Sequence, residues 1–387
     1  MISVVNDSQP KLLILYASYG EGHLQVARAI KGAWEETGNY HTVMIDLMAE
    51  SHPWLNELTR RFYLKSYSSM PSLYGWMYDF TKLMNHDSFF GSLLHSFGSD
   101  KIRRILEIEQ PDIVLHTFPG FGLAETKRRN SPQPPSYAVI TDFDLHRRWV
   151  HPSIDRYYVA TEDLKQELVL LGIPEIAIQV SGIPLKRGFY ATKASSLLYD
   201  RYKLSPDSPV VLIMAGAQGV VPNLFQICSQ LLLDDNIQIA LVCGRNLLMK
   251  DAIEQQFQNR EGASRLQVYG YLESIHELMA ISDCLVTKPG GVTLSEGIAA
   301  GLPIFIYKPV PGQEKQNALY LASKGAAVIS YEARELTASI LKLMRDPLLL
   351  TVSKLSTKQL QVKHAAAEAI VFDMLSNLRI MENTATL

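Results

Sequence analysis

The sequence predicts an α/β protein of two doubly wound parallel-sheet domains facing each other across a cleft. Three observations predict it. Short apolar runs alternate with helical patterns from end to end, the βαβ rhythm of parallel sheets. The runs close in glycine-rich or polar turns, where sheets of this kind bind ligands. The alternation lapses once, at 188–206, where Tyr190-Ala191-Thr192-Lys193-Ala194-Ser195-Ser196 interrupts the apolar pattern and marks a boundary between 1–190 and 200–355. At 387 residues the chain can hold two or three domains, each with its own core.

The strands of the first half are expected at 12–17, 42–47, 112–117, 137–141, 156–160 and 178–181. The first run leads into Ser18-Tyr19-Gly20-Glu21-Gly22-His23, and a helix is expected from about Leu24. This turn departs from the dinucleotide fingerprint, since Gln25 stands where its third glycine belongs. Its glycines let a substrate approach the backbone. His23, at the mouth of the cleft, is a candidate general base.

Residues 54–90 break the alternation. Phe62, Tyr63, Tyr67, Tyr74, Trp76, Tyr78, Phe80 and Phe89 mix there with Arg60, Arg61, Lys65 and Lys82. Aromatics interleaved with cations suit a helical insert at a lipid headgroup boundary, but by composition alone a helical layer over a sheet with its cations solvated is the commoner origin of such a segment. After the fourth strand, Asp142-Phe143-Asp144 spells a D-x-D pattern without a third ligand to complete a metal site. Asp142 is better read as a single carboxylate that orients an acceptor or a histidine. His116, His146 and His151 fall on neighbouring strand ends, either as lining of the acceptor side or as satisfied structural histidines.

In the second half strands are expected at 209–214, 237–243, 266–269, 284–287, 304–307 and 326–329. Their turns carry Gly216-Ala217, Gly244-Arg245-Asn246 and, after the fourth, Lys288-Pro289-Gly290-Gly291-Val292-Thr293. A strand, a Gly-Gly turn and a helix start aim backbone N–H groups at one point, where the positive end of the helix dipole favours phosphate. Glu296 follows about one helical turn later, where a carboxylate can grip two ribose hydroxyls. The next turn, Pro309-Val310-Pro311-Gly312-Gln313-Glu314, is stiffened by proline. Gln313 and Glu314 suit sugar hydroxyls there, or cap the following helix. A last helical pattern, about 356–383, is expected to cross back to the first domain.

Composition removes several functions. A formal net charge of −2 gives no pull toward nucleic acid. Cys228, Cys243 and Cys284 lie in apolar surroundings without a C-x-x-C pair, as buried thiols of a reducing compartment do. No apolar run reaches the roughly 18 residues of a membrane span, and without a basic region followed by an apolar core at the N-terminus secretion is not expected. Walker, zinc-protease and serine-hydrolase motifs are missing.

Taken together, the motifs resemble those of the two-lobed B-type (GT-B) glycosyltransferases, two Rossmann-like domains across a cleft. The resemblance is greatest to the branch of bacterial processive diacylglycerol β-glucosyltransferases and plant monogalactosyldiacylglycerol synthases. The residues that carry it run along nearly the whole chain: the turn ending at His23, His116-Thr117-Phe118-Pro119, Thr141-Asp142-Phe143, Gly182-Ile183-Pro184, Met214-Ala215-Gly216-Ala217, 288–296 and 308–314. The peptidoglycan enzyme that adds N-acetylglucosamine to lipid I is a more distant relative, with a threonine-rich turn in place of Tyr19-Gly20-Glu21-Gly22-His23.

The resemblance implies an inverting transfer of glucose from a UDP-sugar to diacylglycerol, with further transfer onto the glycolipid. It implies His23 and Asp142 at the reaction centre, with His23, assisted by Asp142, as the candidate base. It places Glu296 at the ribose, Gly290, Gly291 and Thr293 at the diphosphate, and Gln313 and Glu314 at the hexose. Gly22, Gly216, Ala217, Arg245, Lys288 and Pro289 would line the same UDP-sugar pocket, with Tyr271 near the uracil. Arg60, Arg61, Phe62, Tyr63, Lys65 and Trp76 would meet the acceptor at an anionic membrane surface, on its cytoplasmic face. No cofactor and no metal are implied. A UDP-galactose-dependent transferase shares these residues, and UDP-sugar sensors and nonhydrolysing epimerases share the architecture.

Overall fold

The computed structural model describes residues 9–17, 21–38, 41–47, 99–119, 134–216 and 221–385, together with Gly75, Tyr78 and Lys82. The chain divides into two compact units, residues 1–186 with 362–387 and residues 187–361. The boundary therefore falls a few residues before the 188–206 lapse, whose polar stretch forms short helices of the second unit.

In the first unit, β1 (Leu12–Tyr16), β2 (Thr42–Asp46), β3 (Ile113–His116), β4 (Ser136–Val139), β5 (Arg156–Val159) and β6 (Ile178–Val180) form one parallel sheet in the order β2-β1-β3-β4-β5-β6. Helices α1 (Glu21–Glu36), α2 (Ser99–Glu109) and α3 (Glu162–Leu170) connect them. The second unit repeats the plan. Its strands β7 (Val210–Met214), β8 (Gln238–Val242), β9 (Leu266–Tyr269), β10 (Cys284–Thr287), β11 (Ile304–Tyr307) and β12 (Ala327–Ser330) run in the order β12-β11-β10-β7-β8-β9. Its helices are α4 (Gly188–Ala191), α5 (Ser196–Arg201), α6 (Leu224–Leu231), α7 (Leu247–Phe257), α8 (Ile275–Ala280), α9 (Gly291–Ala299), α10 (Gln313–Ser323), α11 (Ala333–Arg345) and α12 (Pro347–Gln359). The last helix, α13 (Ala366–Ala385), belongs to the first unit.

The central strands of both sheets are buried on both faces, which is why they read as unbroken apolar runs, while the edge strands are only partly covered. Leu12, Leu13, Ile14 and Leu15 have no accessible surface, and neither have Val210, Val211, Leu212 and Ile213. Each such side chain contributes about 1.5–3 kcal/mol by leaving water. Helix α1 lays Val26, Ala27, Ile30 and Trp34 against this layer, at helical spacing. Against α1 packs α13, whose Ala366, Ala367, Ile370, Val371 and Met374 are buried. Residues 356–383 are thus the end of α12 and most of α13, separated by a short break, rather than one helix.

Each sheet changes direction once. In the first, the chain goes from β1 out to β2 and returns to the other side of β1 as β3. In the second it goes from β7 out to β9 and returns beside β7 as β10. Ligands bind doubly wound sheets beyond the strand carboxyl ends at this reversal. The turn after β1 and the turn after β3 flank the first reversal. The turns after β7 and β10 flank the second.

Candidate active site

The first half-site gathers at the β1–β3 reversal. Helix α1 begins at Glu21, earlier than expected, so Gly22 and His23 lie in its first turn. Glu21 suits the positive end of the helix there. The His23 Nδ1–H donates to the carbonyl oxygen of Thr117, at 2.6 Å, in the turn after β3. Thr141 Oγ1, from the turn after β4, lies 3.2 Å from the same nitrogen, and the Thr117 hydroxyl donates to the His23 carbonyl at 3.2 Å. The ring also meets Phe118 edge-on, with centroids 5.3 Å apart. A carbonyl can only accept, so Nδ1 carries the proton and Nε2 carries the lone pair. Burial pulls the His23 pKa below its ordinary value, while the Asp142 charge and the Thr117 carbonyl push the other way. A ring of that kind is neutral at pH 7 and ready to take a proton.

Asp142 is buried in the turn after β4 and reaches His23 electrostatically. Its companion Asp144 serves another purpose. Asp144 Oδ1 accepts from Lys82 Nζ at 2.6 Å, and Oδ2 accepts from the Tyr78 hydroxyl at 3.0 Å. Among the described residues no group of three or more His, Cys, Asp or Glu is arranged to hold a metal ion. His146 and His151 each accept a bond from a nearby backbone N–H. Nδ1 of His146 accepts from Arg148 N–H at 3.2 Å, and Nδ1 of His151 accepts from Ser153 N–H at 3.1 Å. His116 is fully buried at the end of β3.

The second half-site gathers at the β7–β10 reversal. Gly290 is the N-cap of α9, and no side chain caps this helix. The first backbone bond of its start is Leu294 N–H to Gly290 O, at 2.9 Å. The N–H groups of Gly291, Val292 and Thr293 therefore have no acceptor within the helix and point out of its start. A Cβ added to Gly290 would meet nothing within 4 Å, and its φ of −70° suits any residue. Neither packing nor backbone conformation requires glycine here, so what the missing side chain leaves is room over the turn.

Helix α9 is buried on every side except a stripe through Thr293 and Glu296, three residues apart on one face. Lys288 and Pro289 hold the turn from the strand side. Burial lowers the Lys288 pKa, and Glu314 opposes that shift.

The neighbouring turns bring further predicted residues to this edge. Gly216 follows β7 with nothing within 4 Å of an added Cβ, and Ala217 lies outside the described residues. Arg245, after β8, places its guanidinium 5.0 Å from the ring centroid of Tyr271, after β9. Gly312 takes φ +95°, a conformation closed to side chains, and so turns the chain into α10 at Gln313. Glu314 Oε2 accepts from Val310 N–H at 3.2 Å, so this carboxylate braces its own loop. Sequence reasoning missed Asn317. Fully buried on α10, it donates from Nδ2 to the Pro289 carbonyl at 3.1 Å and ties the Gln313–Glu314 turn to the Gly-Gly turn. Its one sequence signal is its position four residues after Gln313, on the same helix face.

Arg60, Arg61, Phe62, Tyr63, Lys65 and Trp76 lie outside the described residues. Among the described residues no helix is long and apolar enough to cross a membrane.

Comparison with known proteins places each unit in a family. Residues 23–185 match the monogalactosyldiacylglycerol (MGDG) synthase family, and residues 188–359 match the glycosyl transferases group 1 family. The chain is 41% identical to a processive diacylglycerol beta-glucosyltransferase of Bacillus cytotoxicus, over 87% of this chain and 86% of that protein. It is 38% identical to the protein of the same name from Bacillus pumilus, over 98% of each, and 37% identical to that of Bacillus subtilis, over 97% of each. Among solved structures, an S. aureus MnaA–UDP co-structure superposes with a TM-score of 0.62 at 15% identity, covering 95% of this chain and 97% of that one. Acinetobacter baumannii MurG superposes with a TM-score of 0.60 at 14% identity, covering 95% and 100%. At such identities the likeness is one of fold, two Rossmann-like domains of the B-type glycosyltransferase kind.

Proposed function

The chain belongs to the family of the processive diacylglycerol beta-glucosyltransferases, and from this premise we propose that it moves glucose from UDP-glucose to diacylglycerol with inversion, and then onto the glycolipid formed. The observation that carries the reading is the Nδ1 bond of His23 to the Thr117 carbonyl, which leaves the opposite nitrogen as a base at the sheet reversal. His23 Nε2 takes the proton of the acceptor hydroxyl. The hydroxyl oxygen bonds to the anomeric carbon as the bond from that carbon to the UDP β-phosphate oxygen breaks, and UDP leaves with the electron pair. Asp142 stabilises the imidazolium that forms.

On the donor side, the N–H groups at the start of α9 meet the charge that develops on the diphosphate. This fixed dipole is present before the reaction and stabilises the leaving group without a metal. Glu296 holds the ribose, and Thr293 on the same stripe holds phosphate. Gln313 and Glu314 address the hexose, Lys288 and Arg245 the diphosphate, and Tyr271 the uracil. The aromatic and basic residues of 54–90 rest on anionic lipid at the cytoplasmic face of the membrane, where diacylglycerol is found. There the product stays at hand for another round.

The test is label transfer. Purified protein is incubated with diacylglycerol vesicles, a chelator, and radiolabelled UDP-glucose or UDP-galactose, and the lipids are extracted. Label from UDP-glucose in a ladder of glycolipids is the expected result. Label from UDP-galactose alone would reassign the sugar. No lipid label from either donor would overturn the reading in favour of a UDP-sugar sensor or an epimerase, which have the same architecture.

A further inference from the structure

The turn after β4 has two ends. One presents Asp142 to His23. The other is gripped from outside: both oxygens of Asp144 are engaged, Oδ1 by Lys82 and Oδ2 by Tyr78, and the Tyr78 ring packs edge-on to His146, with centroids 5.1 Å apart. Lys82 and Asp144 are largely withdrawn from water, with side chains 26% and 15% exposed. An ion pair so placed is screened less than a surface pair. Tyr78 and Lys82 stand four residues apart in the sequence, and each engages one oxygen of the same carboxylate.

Resting on the proposed function, we infer that Asp144 is a positioning residue. Held by Lys82 and Tyr78, it fixes the turn that offers Asp142 to His23, and so ties the aromatic-basic segment to the acid–base centre. The D-x-D pattern then divides its labour: the first aspartate faces the base and the second anchors the turn. The geometry makes the coupling direct, because one residue, Phe143, separates the two carboxylates, and it is itself buried. A shift of the Lys82 segment reaches Asp142 through two peptide units. Displacements of about 1 Å from a remote mutation can cost on the order of 100-fold in rate.

The experiment compares D144A, K82M, K82R and the exchanged pair K82D/D144K with the parent protein, using UDP-glucose and diacylglycerol vesicles. Among the described residues, Lys82 and Glu167 act electrostatically with Asp144, and Asp142 with His23, so a pH profile reports on this turn. D144A and K82M should lose about 10–100-fold in kcat while KM for UDP-glucose stays unchanged. The acid limb of kcat/KM should move to lower pH, because a displaced Asp142 supports the imidazolium less. K82R, and in part the exchanged pair, should restore both rate and profile. An acid limb that stays in place, or activity lost only in proportion to folded protein measured by thermal melting, would reduce the contact to a structural one and overturn the inference. H23A is run in parallel. If H23A turns over normally, the base assignment itself has failed and the inference falls with it. An inactive H23A beside an unchanged D144A profile defeats the inference alone.

Discussion

At the scale of the residue, the clearest assignment is the tautomer of His23. Burial lowers its pKa from 6.5, and Asp142 with the Thr117 carbonyl limits the fall. The sign follows: the basic form persists below pH 6.5, so kcat/KM should hold level from pH 8 to that point and fall only as acid protonates Nε2. H23A should retain UDP binding and lose transfer by about 10²–10⁴-fold; near-normal turnover in the label assay would refute the base. Glu296 makes the complementary case. It shares the open stripe of α9 with Thr293, so E296A should weaken UDP binding in a calorimetric titration and leave the fold intact, and unchanged affinity would remove it from the ribose. His23 could be picked out in the sequence only through its place at the first βα turn of a two-lobed α/β chain, since a histidine at a helix start is more often structural or merely exposed. Its partner was not legible. The acceptor is a backbone carbonyl, and a backbone atom has no residue type to read. Asn317 escaped for a related reason: a polar residue inside a helix reads as solvated, and only the packing of α10 against the Gly-Gly turn buries it.

At the scale of the element, α9 joins packing to binding. Its start is left uncapped, and its middle is pressed on the sheet at Gly297. A Cβ added there would lie 2.8 Å from Leu285 Cδ2 on β10 and 3.2 Å from Ile304 Cδ1 on β11. Alanine gains about 0.8–1 kcal/mol over glycine in a helix interior, and the nearest atom is the movable tip of a leucine. G297A should therefore be close to neutral. G297L has no such offset and should cost about 1–3 kcal/mol by overpacking, and in lifting α9 from the sheet it should also weaken UDP binding. Urea unfolding and UDP titration of both variants check this; a leucine variant as stable as the parent would show that α9 does not sit as tightly as described. The central strands were the most legible elements, since burial on both faces turns them into runs of apolar residues between turn signals. The break between α12 and α13 was not. It contains no glycine or proline, only Leu360, Gln361, Val362, Lys363, His364 and Ala365, and the Gln361 side chain closes the end of α9 by donating to the Ile298 carbonyl at 2.7 Å.

At the scale of the whole molecule, the first unit is made of two pieces of chain, and its second piece is held by charge as well as by apolar burial. Asp373 on α13 pairs with Arg156 on β5 at 2.6 Å and accepts from the Tyr158 hydroxyl at 2.8 Å. Both charged side chains are about one-fifth exposed, at 22% for Arg156 and 18% for Asp373, so the pair is partly screened. Burial and the Asp373 carboxylate together hold the Tyr158 pKa well above its ordinary value, so this phenol stays a donor at any pH the protein meets. D373A removes the carboxylate that pairs with Arg156, which keeps its bond to the Ile176 carbonyl at 3.0 Å, and takes the acceptor from the Tyr158 hydroxyl. Hydrogen bonds to charged groups contribute about 1.5–3 kcal/mol. For a unit of this size such a loss lowers Tm by roughly 5 °C. The network touches neither Asp142 nor α9, so the variant should melt earlier yet bind UDP as the parent does and, below its melting range, transfer glucose at the parental rate. A D373A protein with parental Tm would show that apolar burial of α13 alone closes the first unit. One that kept its Tm but lost transfer would instead make α13 part of the acceptor machinery.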